Sequence, residues 1–341
     1  MLMRTIIYMI ACITAVCLFH ACDLSVEPES IQNPLRADGQ YYENLRNYKK
    51  SDHAICFGWY DAYRKSESPS MGNHFMGLPD SMDIVSLWGG IPEGEVLEEM
   101  YEVRRLKGTR FVVCSFCHIG YDYPHTDEGI EQFAMYFVDK VNKYDLDGLD
   151  IDYEPGGDWL QGENLTKFVK VLGKYLGPQS GTDKLLMIDY AGAADYNSRN
   201  FPLPETEPYV NYYTEQLYSS DSENVTSVKF QQRYDKISSW CPPEKFILTE
   251  QMGWHWKTGG RPYVEADGNN VDSWGNPLYT VIGMARWNPY QGRKGGFGGF
   301  YFEYEYNTTR PANQTVGDIE EKPIPYYSLR RGIQEQNPAV K

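Results

Sequence analysis

The chain has 341 residues, a formal charge of −15 at pH 7 and 41% hydrophobic residues, with Phe, Trp and Tyr making up 15%. A surface this acidic repels nucleic acid and anionic membranes, which excludes both as substrates. The stretch after residue 50 is long for two small domains and normal for one large α/β barrel.

Residues 1–21 place a single Arg4 ahead of an apolar run that falls short of the ~20 residues a membrane span needs, the pattern of a secretory signal. The stretch "LFHAC" resembles a bacterial lipobox, in which Cys22 becomes the lipidated first residue of the mature protein. Residues 22–49 begin "CDLSVEPESIQNPLRADGQ", polar, interrupted by Pro28 and Pro34 and without helical or strand period. A tether is expected there. Its Asp23, Glu27 and Glu29 resemble the surface-export signal of Bacteroides-type lipoproteins. These features imply attachment to the outer membrane by lipid alone, at the cell surface or on the periplasmic face; the protein is expected to be a monomer.

Eight short apolar runs follow: "AICFGWY" (54–60), "DIVSLWG" (83–89), "TRFVVCSF" (109–116), "LDGLDIDY" (146–153), "KLLMIDYAG" (184–192), "VNYYTEQLY" (210–218), "KFILTEQMG" (245–253) and "GGFGGFYFEY" (295–304). Between most of them lie segments of helical spacing, at 95–108, 129–144 and 164–177. In the last, Leu165, Phe168, Val169, Leu172 and Leu176 share one apolar face while Lys167, Lys170 and Lys174 face out. Eight strands alternating with helices predict a single (β/α)8 TIM barrel over residues 50–341, of class α/β. A doubly wound sheet is the alternative, and no G-x-G-x-x-G loop follows the first strand to support it. Residues 253–277, rich in Gly, Asn and Trp, are expected to form a long loop on the catalytic rim.

Cys12 and Cys17 fall within the signal, leaving Cys56, Cys114, Cys117 and Cys241 besides Cys22. This is no disulfide framework, and "CSFC" ends a strand-like run without a helix start or a second pair, so the thiols read as buried small hydrophobes. Six scattered His give no metal-ligand spacing; neither a metal nor a cofactor is expected.

The stretch "DLDGLDIDYEP" (145–155) crowds carboxylates into a strand. Alternation puts Asp150, Asp152 and Glu154 on one face and Leu149, Ile151 and Tyr153 on the other, with Gly148 leaving room at the bottom of the acidic face. Three acids in a partly dry barrel cannot all ionise freely, so one or more should hold its proton near neutral pH. Glu154, last on the strand, stands highest in the mouth, where a general acid belongs. A calcium loop is the first alternative, but Gly148 follows Asp147 directly and Leu149 fills a ligand position. An exposed acidic strand is the second, disfavoured because Leu149 and Ile151 require a buried opposite face.

"DGLDIDYE" (147–154) resembles the D-G-x-D-x-D-x-E signature of glycoside hydrolase family 18, the chitinases and endo-β-N-acetylglucosaminidases. "KGTRFVVCSFCHIG" (107–120) is similar to that family's third-strand segment, with Cys117 and His118 where Gly-Gly is usual. At "EQLYS" (215–219), Gln216 and Tyr218 resemble the Q-x-Y of endoglycosidases that cut within the chitobiose core of N-glycans, where many chitinases have M-x-Y-D. The family's usual Trp on the eighth strand is replaced by "FYFEYEY" (300–306).

The resemblance implies substrate-assisted retaining hydrolysis, an exception to the two-carboxylate scheme. Glu154 is then the acid and base, Asp152 the partner of the acetamide N–H, Asp150 the group that shares a proton with Asp152, and Tyr218 a donor to the acetamide oxygen. Substrate-binding candidates are Gln216, Asp147, Trp254, Trp256 and Tyr304, with Asp147 also suited to fixing the strand's entry. Trp59, Trp88 and Trp159 lie at or past strand ends as further sugar platforms, and Glu250 and Glu303 are additional mouth candidates. The expected substrate is a glycan or glycoprotein containing N-acetylglucosamine, cut by an endo-β-N-acetylglucosaminidase. A chitinase is the second expectation and a non-catalytic glycan-binding barrel the third.

Overall fold

The computed structural model describes residues 39–191, 201–219, 225–272, 275–307 and 324–338. The signal, Cys22 and most of the tether lie outside them. The described residues from Leu45 onward belong to one compact unit.

The strands are β1 (Ile55–Tyr60), β2 (Ile84–Leu87), β3 (Arg110–Ser115), β4 (Gly148–Tyr153), β5 (Leu185–Tyr190), β6 (Tyr212–Gln216), β7 (Val225–Thr226), β8 (Phe246–Gln251), β9 (Tyr263–Val264) and β10 (Gly296–Phe300). The helices are α1 (Gly39–Lys50), α2 (Gly94–Lys107), α3 (Asp127–Lys143), α4 (Glu163–Leu172), α5 (Ser227–Asp235), α6 (Met252–His255), α7 (Thr280–Arg286) and α8 (Tyr327–Gln336). Eight strands close a barrel in the order β1-β10-β8-β6-β5-β4-β3-β2, every pairing parallel. Each expected run supplies one of them.

Two expectations on boundaries are corrected. Residues 39–49, assigned to the tether, form nearly all of α1, where Leu45 is buried and Lys49 donates to Thr109 Oγ1 at 2.8 Å. The helix expected to reach residue 177 ends at Leu172, because Gly173 caps it, although Leu176 is still buried. The expected rim loop also carries structure of its own: α6 opens it and β9 pairs with β7.

Period-2 alternation sorts side chains into two cores. Ile55, Phe57, Trp59, Ile84, Val112, Leu185, Met187 and Ile247 fill the barrel interior. The other strand faces meet the helices in a larger layer that includes Leu149, Ile151, Phe133, Phe137 and Phe168. Thr126 starts α3 by accepting the Gly129 N–H at 3.2 Å. Phe168 of α4 is fully buried 5.3 Å from the Phe133 ring, so Phe168→Ala would cost about 3–5 kcal/mol. The barrel closes because Gly298 lets β1 approach: a Cβ there would meet Phe57 O at 2.1 Å. Among the described residues no helix is long and apolar enough to cross a membrane.

Candidate active site

Strand β4 delivers the acids. Leu149 and Ile151 are fully buried in the outer layer, which turns Asp150 and Asp152 into the barrel, also buried. The strand ends at Tyr153, and exposed Glu154 stands beyond it with its N–H bonded to Asp152 O at 3.2 Å. Gly148 is needed for a reason other than ligand room: its φ is +153° and a Cβ would meet Leu185 O of β5 at 2.1 Å. Asp147 precedes the strand, at the opposite end from Glu154, and accepts the Phe111 N–H at 2.8 Å. It fixes the strand's entry and does not reach the mouth.

Asp150 Oδ2 accepts from Trp59 Nε1 at 3.0 Å and from Ser86 Oγ at 2.6 Å. Asp189 of β5, in register with Asp152, joins the same cluster. Gln216 Nε2 donates to Asp189 Oδ1 at 2.6 Å and lies 3.3 Å from Asp152 Oδ1. Asp150 Oδ1 and Asp189 Oδ2 are buried with no donor of their own, a pattern that retained protons resolve. Burial, then the charges of Asp152 and Asp150, pushes Asp189 well above the usual carboxylate range. Burial lifts Asp150 to about 6 against the pull of Ser86 and Trp59, and burial with the Glu154 charge lifts Asp152 to about 7. The cluster therefore carries protons near neutral pH, with Asp189 the group that holds its own most firmly.

Above these acids a cavity of about 240 Å³ is lined by Trp59, Trp88, Phe116, Asp152, Glu154, Gln216, Tyr218 and Phe300. Phe300 knits its aromatic wall, 5.4 Å from Trp88 and 6.1 Å from Trp59 edge-on, and stacked 5.9 Å from Tyr218. Tyr218 comes from the turn Leu217–Ser219 just past β6. Burial and the nearby acids push its phenol well above 10, so it stays a neutral donor. Phe300 occupies the wall on the strand where a Trp is usual, and Cys117 is buried while the His118 ring contacts Glu154 O at 2.7 Å.

The structure thus brings Glu154, Asp152, Asp150, Gln216 and Tyr218 together. It does not bring Trp254, Trp256 or Tyr304 to this cavity. Trp254 is 73% exposed on α6, Tyr304 lines a second cavity with Glu303, and Trp159 stacks on His125 at 4.8 Å. Glu250 faces out of the barrel, where Arg261 and Thr280 bind it at 3.0 and 2.6 Å. Asp189, Ser86, Phe116 and Phe300 are absent from the sequence candidates. A lone acid at an inward position of the "LLMIDY" run is the signal that could have found Asp189.

Among the described residues, Cys114, Asp152 and Asp189 bring potential ligand atoms within 4.8 Å of one another. Burial and the surrounding acids hold the Cys114 thiol protonated, and Gln216 already occupies both Asp groups, so the set is better suited to proton sharing than to a cation.

Residues 58–298 match the family described as the endo-beta-N-acetylglucosaminidase EndoS TIM-barrel domain. Endo-beta-N-acetylglucosaminidase F2 of Elizabethkingia meningoseptica is 30% identical over 319 residues, 86% of this chain and 87% of that protein. Endo-beta-N-acetylglucosaminidase EndoS of Streptococcus pyogenes serotype M1 is 30% identical over 221 residues, 56% of this chain but 21% of that longer protein. The solved structure of an endo-beta-N-acetylglucosaminidase from Cordyceps militaris has the same fold, with TM-score 0.64 and 23% identity over 89% of this chain and 97% of that one. The chain belongs to the endo-β-N-acetylglucosaminidase family of TIM-barrel glycoside hydrolases.

Proposed function

We propose that the protein hydrolyses the β-1,4 bond between the two N-acetylglucosamines at the core of N-linked or similar glycans, leaving one sugar on the aglycone. The observation that carries this reading is the cavity that places Asp152, Glu154, Gln216 and Tyr218 around a space of about 240 Å³, below the usual 300–1,000 Å³ of drug-sized sites and suited to one sugar ring.

Exposed Glu154 protonates the departing glycosidic oxygen as the 2-acetamido oxygen attacks the anomeric carbon of its own sugar. The carboxylate left on Glu154 then takes a proton from the water that opens the oxazolinium ring. Asp152, beneath it, accepts the acetamide N–H and balances the positive charge that develops, an interaction strongest in the transition state. Tyr218 donates its hydroxyl to the acetamide oxygen, and Gln216 holds Asp152 and Asp189 in place. Asp150 and Asp189 touch no substrate in this scheme and act as positioning residues.

A glycopeptide whose cleaved sugar carries a 2-hydroxyl in place of the acetamide tests the mechanism. It should resist hydrolysis; turnover comparable to the natural substrate would refute substrate assistance.

We also propose that Cys22 carries a lipid anchor that holds a monomeric enzyme at the outer membrane, a reading supported by the lipobox-like "LFHAC". Labelling of the wild type by a fatty-acid analogue, absent in Cys22→Ala, is the expected result. Equal labelling of both would overturn it.

A further inference from the structure

A second cavity, of about 600 Å³, opens beside the first between the segments that follow β1 and β10. Its wall includes Asp61, Glu303, Tyr301 and Tyr304. The two cavities are adjacent through one ring pair: Phe300 lines the first, Tyr301 the second, and their centroids stand 4.0 Å apart. Glu303 is 9% exposed, and its Oε2 is buried without a hydrogen-bond partner. Its carboxyl faces Asp61, and burial, then the side-chain contact with Asp61 and the charge of that group, pushes Glu303 well above the usual carboxylate range.

We propose that this cavity is a subsite for a neutral hexose unit on a branch of the glycan whose core occupies Asp152 and Glu154. The proposal rests on the hydrolase reading above. Paired carboxyl groups bind the vicinal hydroxyls of a sugar, since each oxygen accepts and a retained proton donates. Tyr301 and Tyr304, edge-to-face at 5.7 Å, offer a ring to the C–H face of a pyranose, and Tyr304 is 47% exposed. Arg64 and Lys65 also line the cavity but are exposed, whereas the acids sit deeper. A neutral sugar satisfies the deep carboxyls; a sialic acid would set its own carboxylate against them.

The test compares kcat/KM on a branched neutral Asn-linked glycopeptide with that on the same glycopeptide trimmed to its trimannosyl core. Tyr304→Ala and Glu303→Gln should each lower the branched-to-trimmed ratio about tenfold, the scale of losing one stacking or buried polar contact. An unchanged ratio in both variants would overturn the proposal, and a loss confined to a sialylated glycopeptide would assign the cavity to an acidic sugar instead. Saturation-transfer NMR of mannotriose on Glu154→Gln provides a readout that needs no turnover. Signal lost on adding Tyr304→Ala supports the subsite even if the wild type cleaves neither glycopeptide, an outcome that would sink the hydrolase reading alone. No signal, or one that survives Tyr304→Ala, removes the subsite.

Discussion

Gln216 Nε2 stands 2.6 Å from Asp189 Oδ1, and through that contact an acid on β5 is tied to a side chain of β6 and placed beside Asp152. Asp189 behaves as a neutral carboxylic acid, its retained proton a donor to its neighbours. Asn reproduces that pattern, with an oxygen for Gln216 and an N–H for Asp152. Asp189→Asn should keep kcat within about threefold of wild type. Asp189→Ala, which leaves Gln216 and Asp152 short of buried partners at about 1–3 kcal/mol, should lower kcat about ten- to a hundredfold. Equal loss in both variants would show that Asp189 must ionise.

Ser86 donates to Asp150 at 2.6 Å, is fully buried, and does not line the cavity. It stabilises the ionised carboxylate and so helps hold Asp150 at about 6 against burial, which raises it. Ser86→Ala should move the acidic limb of the kcat profile to higher pH by about one unit, equivalent to ~1.4 kcal/mol, because the acids then hold a proton longer. KM should change little. A limb that moves down, or a change in KM alone, would contradict this role.

Behind the sheet, Arg233 Nη1 donates to the fully buried Glu215 at 2.8 Å. Arg233→Met would leave Glu215 desolvated without the guanidinium that pairs with it, its remaining neighbours being the Tyr190 hydroxyl and the charge of Lys236. Urea unfolding should show a loss of about 3–5 kcal/mol, the cost of stranding one member of a buried ion pair. A loss under 1 kcal/mol would mean that water or another cation reaches Glu215.

Stability should pass through a minimum near neutral pH. Glu305 is fully buried, caps α8 by accepting the Ser328 and Leu329 N–H groups at 3.0 and 3.2 Å, and is raised by burial to about 7. Its contribution is full below about 4.5 and is lost as pH rises through 7, and the raised Asp150 and Asp152 act in the same direction. Lys294, lowered by burial to about 7, contributes fully above about 10.5 and loses that contribution as pH falls through 7. Unfolding free energies at pH 5.5, 7 and 9 should be lowest at pH 7, and Glu305→Gln should flatten the slope between 5.5 and 7. A maximum at pH 7 would contradict the assignment.

The barrel was legible in the sequence because its cause is local. Alternation in "LDIDY" and unbroken apolar runs elsewhere mark strands buried on both faces, and each run became one strand. Asp150, Asp152 and Glu154 were legible for the same reason, since a strand fixes which neighbours share a face. Asp189 was not, because its importance comes from register with Asp152 across β4 and β5, a pairing no local pattern encodes. The aromatic rim misled for a related reason. Trp254 and Trp256 follow a strand end in sequence, but α6 carries Trp254 out into solvent, while the cavity wall is built by Phe116 and Phe300. The start of the folded unit was misplaced because "YYENLRNYKK" has few apolar positions to show a period, and tertiary contacts of Leu45 and Lys49 sustain α1 there.

Mass spectrometry of an Asn-linked glycopeptide and of chitooligosaccharides, each incubated with the protein and with Glu154→Gln, tests the central claim most directly. The proposed function predicts release of the glycan with one N-acetylglucosamine left on Asn by the wild type, and none by Glu154→Gln. Cleavage of chitooligosaccharides alone, or full activity in the variant, would contradict it.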